Sequence, residues 1–333
     1  METPLSRRQF LGASCAGAGL AATGIPSALA ADEASSATAM PRRPLGKTGR
    51  LTSLVGFGGG SRYQLQEDLD VAERMIHRAI ELGFNYFDTA YIYQKNGVRE
   101  SYRRYGKFLV PHYRNQIFLT SKLVDRDAEG AKRRFEETLK ELGTDHLDLL
   151  HFHDLRRKEE VDKIVAPNGA LTVYRQWKEQ GLIRAIGVTG HASADVLIDA
   201  IQRIEPDCVM CPQNPAHSGQ YGGSDFARVI PAALVRGMGM LAMKTTAQET
   251  LIGKAGVTAE QLVRYTLNLP IATAVIGMPN LEVIESCAAI ARSLTPMPEE
   301  ERKSLEGKLA SANSAEHLPY LAEGYADGHH CTG

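Results

Sequence analysis

The chain has 333 residues, 43% of them hydrophobic and 23% charged, the balance of an ordinary soluble globular protein long enough to bury a large core. Thirty-eight Lys and Arg against 39 Asp and Glu leave a net charge of -1, which excludes an electrostatic case for nucleic acid or an anionic membrane as the main partner. Thirty-one glycines and 15 prolines are too few for a fibrous or disordered chain, so a compact enzyme or small-molecule binder remains.

At the N-terminus, Ser6-Arg7-Arg8-Gln9-Phe10-Leu11 precedes an uncharged, Ala- and Gly-rich run from Gly12 to Ala31 that contains Ala28-Leu29-Ala30. A basic pair, an apolar stretch and a small-x-small ending make a removable targeting segment. Leu20, Ile25 and Leu29 are its only large apolar residues after Leu11, and Pro26 interrupts it, so no stable membrane insertion is expected. The paired arginines followed by Phe-Leu resemble a twin-arginine signal. That resemblance implies the twin-arginine export machinery as a partner and a periplasmic or otherwise extracytoplasmic location.

From Leu51 onward, short apolar or β-branched runs alternate with longer amphipathic ones. The strand candidates are Thr52–Phe57, Asn85–Asp88, Gln116–Ser121, His146–Phe152, Ile183–Val188, Asp207–Pro212, Met238–Met243 and Ala272–Ile276. Segments such as Asp70–Leu82 and Ala128–Leu142 carry apolar residues at helical spacing and stop at Gly83 and Gly143. Eight strand–helix units predict a (β/α)8 barrel, with an open doubly wound sheet as the alternative. Arg43–Leu51 reads as an added hairpin turning at Lys-Thr-Gly, and Glu299–Ala312 as an extra helix followed by a loose remainder. The expected organisation is a signal over 1–30, a linker over 31–42, the barrel over 43–296, and a C-terminal helix and tail over 297–333. The mixed charges of Arg156–Lys163 suggest a solvated face. Cys208 and Cys211 lie in an apolar run without further paired ligands, which favours buried thiols over a redox or zinc pair.

In such a barrel, chemistry gathers at the C-terminal strand ends. There stand Asp88-Thr89-Ala90-Tyr91-Ile92-Tyr93, then Ser121-Lys122, then His151-Phe152-His153-Asp154. Carbonyl reduction by hydride needs an acid for the forming alkoxide, and a phenol serves if an ammonium lowers its pKa. Lys122 is placed to supply that charge, Asp88 to hold Lys122, and a histidine to orient the carbonyl oxygen.

With these residues the chain resembles the aldo/keto reductases, nicotinamide-dependent (β/α)8-barrel oxidoreductases, from about Arg43 to Arg292. Their Asp-Thr-Ala-x-x-Tyr falls on Asp88 to Tyr93, which selects Tyr93 over Tyr91 as general acid/base. Their strand-three Lys falls on Lys122. Their Asp-Leu-x-x-x-His falls on Asp148-Leu149 and His153, leaving His151 as a barrel-interior residue. The resemblance implies catalytic Asp88, Tyr93, Lys122 and His153 and a cofactor that is NADP or NAD, with Asp88 also counted at the cofactor site.

Further cofactor positions follow from the same resemblance. Thr189-Gly190-His191 stands where the family has Ser-Asn, so Thr189 can supply the hydroxyl while the Asn amide is missing. Gly190 is counted at the cofactor site, and Gln213 falls on the family's amide-binding Gln. Met243 replaces a stacking aromatic residue, and Lys244 and Thr245 are expected near the pyrophosphate. Gly59 and Gly60 allow close backbone approach, while Gly277, Met278, Asn280 and Glu285 fall in the adenosine region. Met278-Pro279-Asn280-Leu281-Glu282 has no cation to grip a 2′-phosphate, so weak discrimination between NAD and NADP is expected. The family's Tyr-Gly is replaced by Tyr93-Gln94, and the loops Asp154–Asn168 and Asn214–Asp225 are expected to wall a pocket for a carbonyl or alcohol substrate. Some relatives with a similar Thr-Gly-His carry a C-terminal iron–sulfur segment. Here Cys331-Thr332-Gly333 supplies too few ligands, so no such cluster is expected. Two rival readings are a nicotinamide-nucleotide-binding sensor or accessory barrel with little turnover, and a metal-dependent hydrolase. The second lacks a His/Asp ligand set, and no metal site is expected.

Overall fold

The structure is a computed structural model that describes residues 39–218, 225–325 and 327. Among the described residues, ten strands form two sheets. β1 (Arg42–Pro44) and β2 (Leu51–Ser53) pair as an antiparallel hairpin. β3 (Val55–Gly58), β4 (Tyr86–Asp88), β5 (Phe118–Leu123), β6 (Leu147–Phe152), β7 (Ile183–Thr189), β8 (Cys208–Pro212), β9 (Gly239–Met243) and β10 (Thr273–Gly277) follow in chain order around a closed parallel barrel. Closure is the pairing of β10 with β3, Ala274 to Gly277 against Val55 to Gly58, which removes the open-sheet alternative.

The first expected strand, Thr52–Phe57, is in fact two. The chain changes sheets at Leu54, whose N–H donates to Pro41 O. Ser53 N–H donates to Asn85 Oδ1 at 2.6 Å and Ser53 Oγ to Val55 O at 2.7 Å, so the backbone groups at the break are satisfied locally. The hairpin closes the lower end of the barrel. Leu45 is fully buried and packs with the interior residues Tyr86, Phe118, Leu149, Met210 and Leu241. Gly46 has φ +52, and a Cβ there would lie 2.2 Å from Gly239 N, so both conformation and space demand glycine.

Helices cover the outside. Leu69–Glu81 starts at Asp68, whose side chain accepts from the N–H groups of Asp70 and Val71, and buries Ala72, Met75, Ile76 and Ala79. Ala128–Leu142 starts at Asp127 and ends at Gly143 in the left-handed conformation. The charged run becomes the helix Lys158–Val165, with Val161 and Ile164 inward. Met40 is already buried in the core, so the fold starts before the end of the expected linker. Cys208 and Cys211 are buried free thiols whose pKa values burial pushes up, that of Cys211 to about 12. The twin-arginine segment, Cys15 and Cys331 lie outside the described residues. No helix among the described residues is long and apolar enough to cross a membrane.

The C-terminal end departs most from expectation. Glu299–Leu309 is helical with a tighter turn over Ala310–Ala312. The described residues beyond, up to Tyr325 and Asp327, are packed rather than loose. Leu318 and Tyr320 are fully buried and join Leu305, Leu309 and Tyr265 in a second apolar cluster. Tyr320 Oη is 2.7 Å from His217 Nε2 and accepts from Asn214 Nδ2 at 3.0 Å, and His191 Nδ1 stands 3.2 Å from Tyr320 O. That anchor brings Tyr325 and Asp327 over the barrel mouth.

Candidate active site at the barrel mouth

The strand period of two aims Phe118, Thr120 and Lys122 of β5 to one face. Register places Asp88 beside Thr120 and Lys122 beside His151. Lys122 is buried, and its Nζ donates to Asp88 Oδ2 at 2.5 Å, to Thr89 O at 2.9 Å and to Tyr93 Oη at 3.2 Å. Thr120 Oγ1 donates to the other oxygen of Asp88 at 2.9 Å. The ammonium is thus neutralised, tethered, and aimed at one phenol. His153 follows β6, its ring edge-on to Tyr93 with centroids 5.9 Å apart. All four residues named from the sequence meet here.

Tyr91 faces elsewhere. Its hydroxyl donates to Glu137 at 2.5 Å, on the helix Ala128–Leu142. His151 is fully buried in the barrel, close to Lys122 and to the backbone of Val188. Burial holds it well below its ordinary pKa, with help from nearby Lys122. Its ring lies where a side chain on Gly187 would project, 2.2 Å from the position of a Cβ. Asp148 is a structural knot, accepting from Arg114, Arg184 and the N–H of Leu119.

Tyr93 differs from expectation in its electrostatics. The phenol pKa is raised well above its usual value, not lowered. Burial is the first cause, followed by the carboxylates of Asp327 and Asp88. Sequence reasoning missed Asp327. Tyr93 Oη donates to Asp327 Oδ2 at 3.4 Å, and His153 Nε2 is 3.3 Å from the same oxygen. Lys244 Nζ donates to Asp327 Oδ1 at 2.8 Å, and Tyr325 Oη donates to it at 3.1 Å. Burial alone would push the carboxyl of Asp327 up, but Lys244, His153 and His191 hold it well below the usual carboxylate range. Burial lowers the pKa of His153, and that of His191 to about 4, so both rings are neutral near pH 7. The available sign was Leu318, Tyr320, Leu321 and Tyr325 in an otherwise polar tail.

A cleft opens beside Tyr93, lined by Gly58, Gly60, Arg62, Met243, Thr245 and Gly277 among others. A Cβ on Gly60 would lie 3.2 Å from the Tyr93 ring, so the glycine keeps the wall thin there. Thr245 Oγ1 is buried in this wall without a hydrogen-bond partner, a polar atom suited to a ligand. Lys244, Ala247, Gln248 and Glu249 all have positive φ, and Arg62 crosses the cleft to Glu249 at 3.2 Å and to Gln248 O at 3.0 Å. Thr246, Glu249, Ile276 and Gly277 continue the cleft into an apolar crevice walled by Ile252, Val263, Pro279, Val283 and Cys287.

The remaining cofactor candidates are distributed as follows. Gly59 N–H donates to Asp88 O at 2.8 Å, and a Cβ there would strike Tyr105. Thr189 Oγ1 accepts from Asp154 N–H at 3.0 Å, and Gly190 N–H donates to Met210 O. Gln213 Nε2 donates to Phe226 O at 2.9 Å. Thr189, Gly190 and Gln213 thus each make a hydrogen bond within the protein. Met278 is fully buried in the core, Asn280 caps the helix Leu281–Arg292, and Glu285 pairs with Arg78 at 2.9 Å. These three are turned to structural work. The loop after β8 is described only in part, up to Ser218 and from Asp225.

The signature described as the aldo/keto reductase family spans residues 55–261. The chain is 30% identical over 228 residues to L-galactose dehydrogenase of Arabidopsis thaliana, covering 64% of this chain and 68% of that protein. Over 152 residues it is 32% identical to a methylglyoxal reductase of Yersinia pestis, covering 45% of this chain and 50% of the other. Among solved structures, an aldo-keto reductase from Bacillus halodurans superposes with a TM-score of 0.65 at 20% identity, covering 84% of this chain and 99% of that one.

Proposed function

The chain belongs to the aldo/keto reductase family of oxidoreductases, and from that premise we propose that it moves a hydride between a nicotinamide nucleotide, NAD or NADP, and a small aldehyde or ketone, or the matching alcohol in reverse. The observation that carries this reading is the unbroken chain Asp88–Lys122–Tyr93 ending beside His153. A carbonyl oxygen held between Tyr93 Oη and His153 Nε2 accepts two hydrogen bonds. Both strengthen as the oxygen gains charge, which is the differential stabilisation a catalyst needs. Tyr93 then passes its proton to the alkoxide oxygen. The phenolate left behind faces Lys122 Nζ at 3.2 Å, and Asp88 keeps that ammonium in place. His153, neutral through burial, donates a hydrogen bond and keeps its proton.

The nicotinamide group, when bound, supplies the hydride. Thr245 and the glycines of the cleft wall would meet its phosphates, and the apolar crevice its adenosine end, while Lys244 is engaged by Asp327 and Tyr325. Glu249 and Glu260 line the crevice and disfavour a 2′-phosphate, while Arg62, paired with Glu249 at 3.2 Å, offers one cation at its edge, which supports use of both cofactors. The relatives named above act on sugar-like or small carbonyl compounds by their names, and this chain is assigned the same broad class. The decisive experiment follows cofactor oxidation with aldehydes, ketones and sugars at fixed enzyme concentration. Turnover with several carbonyls is expected. Tight nucleotide binding without turnover on any of them would instead establish the sensor reading.

A further inference from the structure

The Asp327 carboxylate occupies the place where a reacting oxygen belongs. Its Oδ2 lies 3.4 Å from Tyr93 Oη and 3.3 Å from His153 Nε2, the two donors assigned above to the carbonyl. Its Oδ1 is bound by Lys244 Nζ at 2.8 Å and Tyr325 Oη at 3.1 Å. A buried carboxylate is tolerated only when charge and hydrogen bonds replace its water, and this cradle supplies one cation and three neutral donors. The cradle is built, not incidental. Lys244 is only 12% exposed at its side chain and has positive φ. The segment that delivers Asp327 is anchored through Tyr320, through the Tyr325 ring edge-on to His191, and through Arg156 donating to Tyr325 O.

We propose that the chain's own Asp327 sits as a tethered carboxylate in the seat of the reacting oxygen, and that Asp327 must withdraw before a carbonyl substrate reaches Tyr93. This rests on the reading of Tyr93 and His153 as the seat of the reacting oxygen. The two oxygens need the same donors, so occupancy is mutually exclusive. A free small carboxylate has the charge and the two oxygens the cradle recognises, while a neutral amide of equal shape brings an N–H₂ group against Lys244. The tail thus acts as a tethered competitive ligand whose effect is set by the fraction of molecules in which it is out.

The test uses the full chain with Asp327→Ala, and acetate and acetamide as probes. Asp327→Ala is expected to bind acetate at least about tenfold more tightly than wild type, seen as a rise in melting temperature, with no response to acetamide. With 4-nitrobenzaldehyde and reduced cofactor, kcat/KM should rise about tenfold in Asp327→Ala. Acetate should then reverse the gain as a competitive inhibitor. Asp327→Asn keeps the side-chain volume and should show the same kinetic gain, which guards against a folding defect in the alanine variant. Equal acetate binding by wild type and Asp327→Ala, or equal response to acetate and acetamide, would overturn the proposal. So would a lower kcat/KM in both variants with unchanged cofactor affinity. Should no form turn over any carbonyl, the reductase reading fails, while acetate binding still decides the seating of Asp327.

Discussion

Tyr93 carries the sharpest consequences at the level of single residues. Tyr93→Phe removes one oxygen and leaves the ring against Gly60 and His153, so folding should be nearly unchanged. The chemical step should fall by about 10²–10⁴, the share a general acid supplies, with cofactor affinity retained. Single-turnover kinetics on a good carbonyl substrate, with binding titrations beside them, measure both. Tyr91→Phe is the control: its hydroxyl serves Glu137, so most activity should remain. Lys122→Met acts on two levels. It removes the charge facing the phenolate and leaves the buried Asp88 with only Thr120 as a side-chain donor. Loss of rate and a loss of about 3 kcal/mol in stability are expected together, because one partner of a buried pair has been deleted. Urea unfolding at pH 7 reads the second effect, and unchanged stability would show that Asp88 is better hydrated than its burial implies.

Strands β6 and β7 meet at the level of elements through an unusual fit. The ring of His151 lies over Gly187, where a Cβ would stand 2.2 Å from Nδ1. Gly187→Ala should therefore destabilise the barrel by about 1–3 kcal/mol through overpacking, although alanine suits a strand no worse than glycine. Adding His151→Ala removes the obstacle, so the double variant should be more stable than the sum of the single changes requires. A double-mutant cycle in urea tests this, and simple additivity would mean that the neighbouring backbone yields instead. The same strand pair shows why His153 and not His151 reaches the site. The strand period keeps His151 inside the barrel, and His153 lies one residue beyond the last of β6.

Buried neutral histidines give the whole molecule a definite response to acid. The folded state holds His191 at about 4 and lowers His151 and His153 as well, whereas the unfolded chain titrates near the ordinary value of about 6.5. The unfolded state therefore binds more protons below that pH. The stability from these groups is complete above about pH 6.5 and is lost as pH falls toward the folded values. Between pH 7 and 5, His191 alone should remove ~2 kcal/mol, visible as a lower urea midpoint at unchanged slope. A flat profile over that range would mean that the three rings are protonated or hydrated in the fold. Export belongs to this scale too. We propose that the chain crosses the membrane folded, because a barrel that needs a nucleotide made in the cytoplasm gains from closing around it first. Replacing Arg7 and Arg8 by Lys should hold the protein in the cytoplasm. Normal delivery of that variant, followed by fractionation, would remove the twin-arginine assignment.

The sequence by itself determined what depends on short-range order. Apolar runs of strand length, alternating with amphipathic runs, dictated eight parallel strands. Fixed spacing along β4, β5 and β6 put an acid, a phenol, an amine and an imidazole at one end of them. Tertiary structure alone decided the rest. The change of sheet at Leu54 depends on Pro41 and Asn85, and the hydrogen bonds of Thr189 to Asp154 and of Gln213 to Phe226 fix how those two side chains stand at the mouth. Asp327 reaches Tyr93 across 234 positions of chain. No local pattern encodes such a contact. It exists because the folded mouth offers a cation and three donors that offset the desolvation of one carboxylate, and those groups assemble only once the barrel has closed.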